Sequence, residues 1–185
     1  MISLTIGFDK TKQAAVEAAL SGVKNGAPRA MSRAINRAVA FGKTRSSKLV
    51  REEYTINAGA MKRATGTTKA SVNRLVGIID WKSRQKQMRN FQYRKTKKGI
   101  SVAVKRAGGR KFIPRAFINN LHSSGGAILR RLGKERYPLK VLHGPSVPQM
   151  TGNVNVEPQI RKDVEDKLNE RLKHEMNVLM RGIVR

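Results

Sequence analysis

The sequence predicts an α+β fold in which a mainly antiparallel sheet packs against two long helices. Two observations carry this prediction: several short segments of alternating apolar residues follow one another without a helix between them, and a long amphipathic pattern lies on either side of them. The chain has 185 residues, no cysteine and no apolar run of membrane-spanning length. We therefore expect one soluble domain over residues 1–185, without disulfides or thiolate metal sites.

The first quarter of the chain predicts a strand and two helices. Residues 2–6 alternate apolar and polar side chains as in a strand, and a short helix follows from Asp9, its N-cap, to about Leu20. A long helix with Pro28 in its first turn runs to about Glu53. Its apolar residues cluster on one side, and the opposite side is basic. This basic helix face comprises Arg29, Arg33, Arg37, Lys48 and Arg51.

The sequence of residues 57–142 predicts the remaining strands and one long polar, basic segment. A short helix or turn from Asn57 to Ala64 precedes a strand between Lys69 and Trp81, in which Gly77 is interpreted as a bulge. We interpret residues 82–98, which are rich in Gln, Lys and Arg, as an extended and partly mobile basic loop. Further strands are predicted near residues 100–104, 112–113, 116–118, 127–129 and 139–142.

Aromatic residues beside prolines in this region are predicted to belong to the core. Pro114 and Pro138 should lie at strand starts or edges, because proline removes a ladder donor. The residues expected to pack beneath them are Phe112, Ile113, Phe117 and Tyr137.

A long terminal helix is predicted over residues 157–182. Apolar residues recur along it at steps of three and four, which defines a seam that could lie on the sheet or on a neighbouring subunit. The subunit-contact candidates on this seam are Leu168, Leu172, Met176 and Leu179.

The charge distribution is the strongest functional signal in the sequence. The formal net charge is +27, and the 54 residues from Trp81 to Lys134 hold sixteen lysines and arginines and no carboxylate. Cations at this density repel one another unless a polyanion or an acidic partner lies close by. The candidates to face that partner are Arg94, Lys95, Lys97, Lys98, Lys105, Arg106, Arg110 and Lys111.

Residue patterns typical of catalysis are missing. His122, His143 and His174 are far apart in sequence, and half of the twelve carboxylates lie from Glu157 onward, on one helix. The glycine-containing segments at residues 108–111 and 123–126 do not match a phosphate-binding loop and are interpreted as turns. We therefore expect no enzymatic activity, no catalytic residues, no metal site and no cofactor.

Several segments in a fixed order resemble the family of minor tail protein Z of lambda-like bacteriophages. They are Ala30-Met31-Ser32-Arg33-Ala34-Ile35-Asn36-Arg37-Ala38, Ile113-Pro114-Arg115-Ala116-Phe117-Ile118, Arg136-Tyr137-Pro138-Leu139 and Gly144-Pro145-Ser146-Val147-Pro148. The resemblance covers about residues 27–151.

The resemblance implies a structural virion protein of a tailed phage, made in the bacterial cytoplasm. It would act as a tail-completion or neck protein in a ring at the head-proximal end of the tail, and help head–tail joining and placement of the DNA end. The implied partners are the tail terminator, the tail tube, the connector, genomic DNA and further copies of the chain, expected as a hexamer, with no membrane. The basic surface could face DNA, the acidic lumen of the tail tube or a neighbouring ring.

Charge alone supports a second interpretation, a free nucleic-acid-binding protein without sequence preference. Lysine and arginine contacts to phosphate give affinity but carry no sequence information. The sequence contains no base-reading motif, and Phe91 and Tyr93 are interpreted as packing locally in preference to stacking on bases.

Overall fold

The structure is a computed structural model that describes residues 1–119 and 126–181. It confirms the α+β class, with three antiparallel sheets of three strands each and long helices. The helices are α1 (Lys10–Ala19), α2 (Gly26–Glu53), α3 (Ala58–Ala64), α4 (Val147–Thr151) and α5 (Glu157–Arg181). The strands are β1 (Ile2–Gly7), β2 (Thr65–Thr68), β3 (Val76–Trp81), β4 (Gln92–Thr96), β5 (Gly99–Ala103), β6 (Lys111–Pro114), β7 (Ala116–Asn119), β8 (Ala127–Arg131) and β9 (Leu139–Val141).

The chain divides into two compact units. The first comprises Met1–Ser46, Thr65–Trp81 and Glu157–Arg185, and the second comprises Ser47–Ala64 and Lys82–Val156. The expectation of one domain over residues 1–185 stays a prediction. Among the described residues, no helix combines the length and the apolarity of a membrane span.

The first unit contains the sheet β1-β3-β2, α5 and the part of α2 up to Ser46. β3 is the central strand, and β1 runs antiparallel to it with Ile2 opposite Trp81 and Gly7 opposite Val76. α2 and α5 are joined by an ion pair, in which Arg45 Nε lies 2.5 Å from Asp163 Oδ2. The apolar side of α2 is buried, and the five cations of its basic helix face are all exposed, as predicted.

Gly77 is not a bulge. The register of β1 against β3 runs without interruption through the pair Ile6–Gly77. A Cβ at Gly77 would stand 2.6 Å from Val39 Cγ2 and 2.7 Å from Ile35 Cγ2. Glycine is therefore required here because β3 approaches α2 too closely for a side chain.

The apolar seam of α5 is only partly available for a partner. Leu168 and Leu172 are buried in the first unit, whereas Met176 and Leu179 are half-buried. Val178 and Met180, which follow on the same helix, are exposed. Burial of the first two leucines indicates that they stabilise the fold of the chain itself.

The second unit contains the sheets β4-β5-β6 and β7-β8-β9. The largest buried side chains around them include Phe91, Ile100, Ile128 and Met150. The buried Thr55 hydroxyl donates a hydrogen bond to the carbonyl of Ala103 and accepts one from Gln92 N at 3.1 Å. These bonds tie the base of the β4–β5 hairpin to the segment that follows α2.

Three predictions for the second unit need correction. The segment 82–98 is extended but is not simply a loop, since Gln92–Thr96 form β4 and Met88–Asn90 form one turn of 3-10 helix. Phe112 and Tyr137 do not pack the core, because 52% and 63% of their surfaces are exposed. Ile113 and Phe117 are half-buried. The reason for Phe112 is that β6 is an edge strand, and Pro114 lies at its end as predicted.

Besides β4 and the turn of 3-10 helix, two elements, β2 and α4, were not predicted. Predicted features at residues 120–125 and at 182, including His122 and most of the turn at 123–126, lie outside the described residues.

Candidate nucleic-acid interface

The β4–β5 hairpin displays four of the predicted cations. All five residues of β4 are exposed, and they pair with β5 from Gln92–Ala103 to Thr96–Gly99. The hairpin turn consists of Lys97 and Lys98, and Thr96 Oγ1 closes it by donating to the Gly99 carbonyl at 2.8 Å. Backbone pairing therefore holds a highly charged strand that has little apolar surface of its own to bury.

A single residue, Arg115, connects β6 to β7. Its backbone has φ 59°, in the left-handed region that L-residues with a Cβ rarely adopt. This conformation costs roughly 1–2 kcal/mol for a residue other than glycine. The Arg115 N–H donates to the Lys98 carbonyl at 3.2 Å, so the connection is bound to the hairpin turn.

The hairpin turn, Arg115 and the β8–β9 connection surround a cleft of about 550 Å³. We call it the basic cleft, because six of the residues that line it are lysine or arginine and none is acidic. The guanidinium of Arg131 lies 5.6 Å from the ring centroid of Phe117, which is a cation–π geometry that orients this side chain. The six cations are Lys95, Lys97, Lys98, Arg115, Arg131 and Lys134.

A second, more open depression lies along the same hairpin. Arg94, Lys95, Lys97 and Arg110 line it together with Thr96 and Ser101, and it contains no carboxylate. Lys111 is opposite Val102 on β5, and the exposed Phe112 is opposite Ser101. Tyr93 is 39% exposed, which departs from the expectation of local packing, whereas Phe91 is buried as expected.

Lys105 and Arg106 form polar contacts with residues at the C-terminus of α2. Lys105 Nζ lies 3.7 Å from Glu53 Oε1 and 5.7 Å from the ring centroid of Tyr54. Arg106 donates through its backbone N to the Glu53 carbonyl and through Nε to the Arg51 carbonyl, both at 2.9 Å. Arg106 satisfies two carbonyls that the end of a helix leaves without intrahelical partners, and Lys105 pairs with the Glu53 carboxylate, so both cations have a structural role.

The structure thus brings together some predicted cations and adds others. Lys95, Lys97 and Lys98 meet in the basic cleft, with Arg94 and Lys111 on the same sheet and Arg110 directly before β6. Arg115, Arg131 and Lys134 were not among the candidates. The sequence feature that could have indicated these three residues is the acid-free stretch that continues to Lys134. Only the strand pairing shows that they lie beside the lysines of the hairpin turn.

The chemistry available in the cleft is recognition of anions. Lysine ammonium groups act as point charges, and guanidinium groups bind two oxygens of one phosphate or carboxylate in parallel. Within residues 1–119 and 126–181, no group of His, Asp and Glu side chains is arranged to hold a metal ion.

The chain is an α+β protein in which six lysine and arginine residues line one cleft of the part that the structure describes. The family model of Prophage minor tail protein Z (GPZ) matches residues 10–185, and the chain therefore belongs to this family. This confirms the resemblance seen in the sequence. A search of curated proteins and a search of solved structures found no match.

Membership of this family identifies a phage minor tail protein. It is a structural component of the virion tail that interacts with other tail components.

Proposed function

We propose that this minor tail protein completes the tail at its head-proximal end. Copies of the chain assemble there as a ring, expected to be a hexamer, between the tail tube and terminator on one side and the connector on the other. The ring supports head–tail joining and positions the end of the genomic DNA. The observation that carries this proposal is the basic cleft in a protein of the minor tail protein Z family.

Electrostatics favours DNA as the occupant of the ring's lumen. Each copy carries a formal net charge of +27, so ring closure concentrates positive charge. Exposed charges interact over about 8 Å at physiological salt, so the repulsion acts mainly between cations that ring closure brings close together. A polyanion in the lumen removes this repulsion and releases its own counterions.

We place the proposed contacts between copies on the C-terminal half of the α5 seam. Met176 and Leu179 are half-buried in the isolated chain and have apolar area left to bury, unlike Leu168 and Leu172. A closed ring uses two different surfaces of each copy, so this patch would meet another surface of the neighbour. The exposed basic helix face of α2 offers a further surface for acidic tail components.

The test is electron microscopy of particles produced without this protein, with the intact gene supplied in trans as the control. The proposal predicts heads and tails that fail to join, or joined particles in which the DNA end is misplaced, and rescue by the intact gene. Normal particles without the protein would contradict it. Recovery of the protein from infected cells but never from purified virions would instead support the free nucleic-acid-binding alternative.

A further inference from the structure

We propose that the basic cleft is a binding site for the phosphodiester backbone of nucleic acid, with Arg115 as its central residue. The choice of DNA as the occupant rests on the proposed function. The location of the site rests on the geometry of the second unit alone.

Three chain segments far apart in sequence build the cleft. The end of β4 and the hairpin turn supply Lys95, Lys97 and Lys98. The β6–β7 connection supplies Arg115, and the end of β8 with the following residues supplies Arg131 and Lys134. Each segment is held by backbone pairing: β4 to β5, Arg115 N–H to the Lys98 carbonyl, and β8 to β7 and β9. A site assembled on paired strands presents its cations in a fixed arrangement.

Arg115 occupies a backbone position that favours glycine or asparagine. At φ 59° either residue would be less strained than arginine. Strained conformations cluster where they position a functional group, and here the strained residue is a cation that lines the cleft together with five others. The conformation of Arg115 is an independent indication that its side chain serves a ligand.

The lining of the cleft fits a regular polyanion better than an acidic protein surface. Protein interfaces usually have an apolar centre surrounded by charges. Among the described residues that line the basic cleft, Phe117 is the one aromatic side chain, and Arg131 lies over its ring. A phosphodiester backbone needs no apolar anchor, because its affinity comes from contacts to phosphate and the release of counterions.

The test measures binding of a short fluorescein-labelled duplex DNA to the purified full chain by fluorescence anisotropy over a series of salt concentrations. Arg115→Asn removes one cation and suits the left-handed backbone, so the variant should fold with unchanged or increased thermal stability. Affinity should fall about tenfold, as expected for one charged hydrogen-bonding group. The slope of log affinity against log salt should become less steep by roughly 0.9, the value for one phosphate contact.

Arg74→Gln is the matched control, since Arg74 is exposed, lies outside the cation surfaces described above, and its loss changes the net charge equally. Its effect on affinity should be much smaller than that of Arg115→Asn. Equal effects of the two variants, or parent-like affinity and slope for Arg115→Asn, would overturn the proposal. Loss of binding to poly-glutamate with unchanged DNA binding would also overturn it and identify an acidic peptide as the occupant.

The same variant separates this inference from the proposed function. If Arg115→Asn loses DNA affinity in solution and phage carrying it also misplace the DNA end, both stand. If it loses DNA affinity but the phage particles are normal, the cleft is a nucleic-acid site and the proposed role in DNA positioning is wrong.

Discussion

Replacing Gly77 by alanine tests the packing of β3 on α2. The added Cβ would stand 2.6 Å from Val39 and 2.7 Å from Ile35, about 1 Å inside the usual carbon–carbon contact distance. Both neighbours are β-branched residues within a helix, where one rotamer is strongly preferred, so neither can rotate away. Overpacking lowers the free energy of unfolding by about 1–3 kcal/mol, whereas replacing a glycine within a strand raises it by about 0.5–1 kcal/mol. We expect a net loss of about 1–2 kcal/mol.

Urea denaturation measures this loss directly in the first unit. Trp81 is the only tryptophan of the chain, it is buried, and it lies on the same strand as Gly77, so its fluorescence reports unfolding there. Gly22→Ala is the control, because a Cβ at Gly22 would meet no atom within 4 Å. If Gly77→Ala and Gly22→Ala give the same free energy of unfolding, the close approach described for β3 and α2 is refuted.

Three further variants test the second unit. Thr55→Val should lower the free energy of unfolding by about 1–3 kcal/mol, because the buried bond to the Ala103 carbonyl and the part-buried bond from Gln92 N are both lost. Thr55→Ser should retain most of that stability. Phe117→Ala should lower the free energy of unfolding, measured by urea denaturation, by about 1–2 kcal/mol, because the ring is half-buried. A fully buried phenylalanine typically loses about 3–5 kcal/mol, so a loss above about 2 kcal/mol would show that the ring is more deeply buried. Lys86→Met should stabilise the unit at neutral pH, because burial and nearby Arg63 lower the pKa of Lys86, so its charge opposes folding. That advantage should shrink as pH rises from the lowered pKa to the ordinary lysine pKa and vanish above it, since Lys86 is then neutral in both states; an advantage independent of pH would refute the electrostatic cause.

Local signals in the sequence predicted the helices well. Asp9 caps α1 as expected, with its carboxylate accepting from Lys12 N at 2.7 Å. α4 was missed although Ser146 and Gln149 form a capping box, since the adjacent prolines were interpreted only as the end of the sheet. The sequence therefore contained the signal for α4.

Tertiary contacts decided the features that local patterns could not show. β4 has no apolar alternation, and its strand conformation depends on pairing with β5. Gly77 has the same local pattern whether it forms a bulge or faces a helix, and only the position of α2 distinguishes them. The same limit applies to the site, because Arg115 and Arg131 join the lysines of the hairpin turn only through the sheet arrangement.

Reconstruction of the intact virion by electron cryomicroscopy tests the central claim most directly. The account predicts a ring of copies of this protein at the head-proximal end of the tail, with the basic cleft of each copy facing density for DNA in the lumen. Location of the protein elsewhere in the particle would contradict the proposed function. Basic clefts that face protein density, with no DNA within reach of Arg115, would contradict the nucleic-acid site.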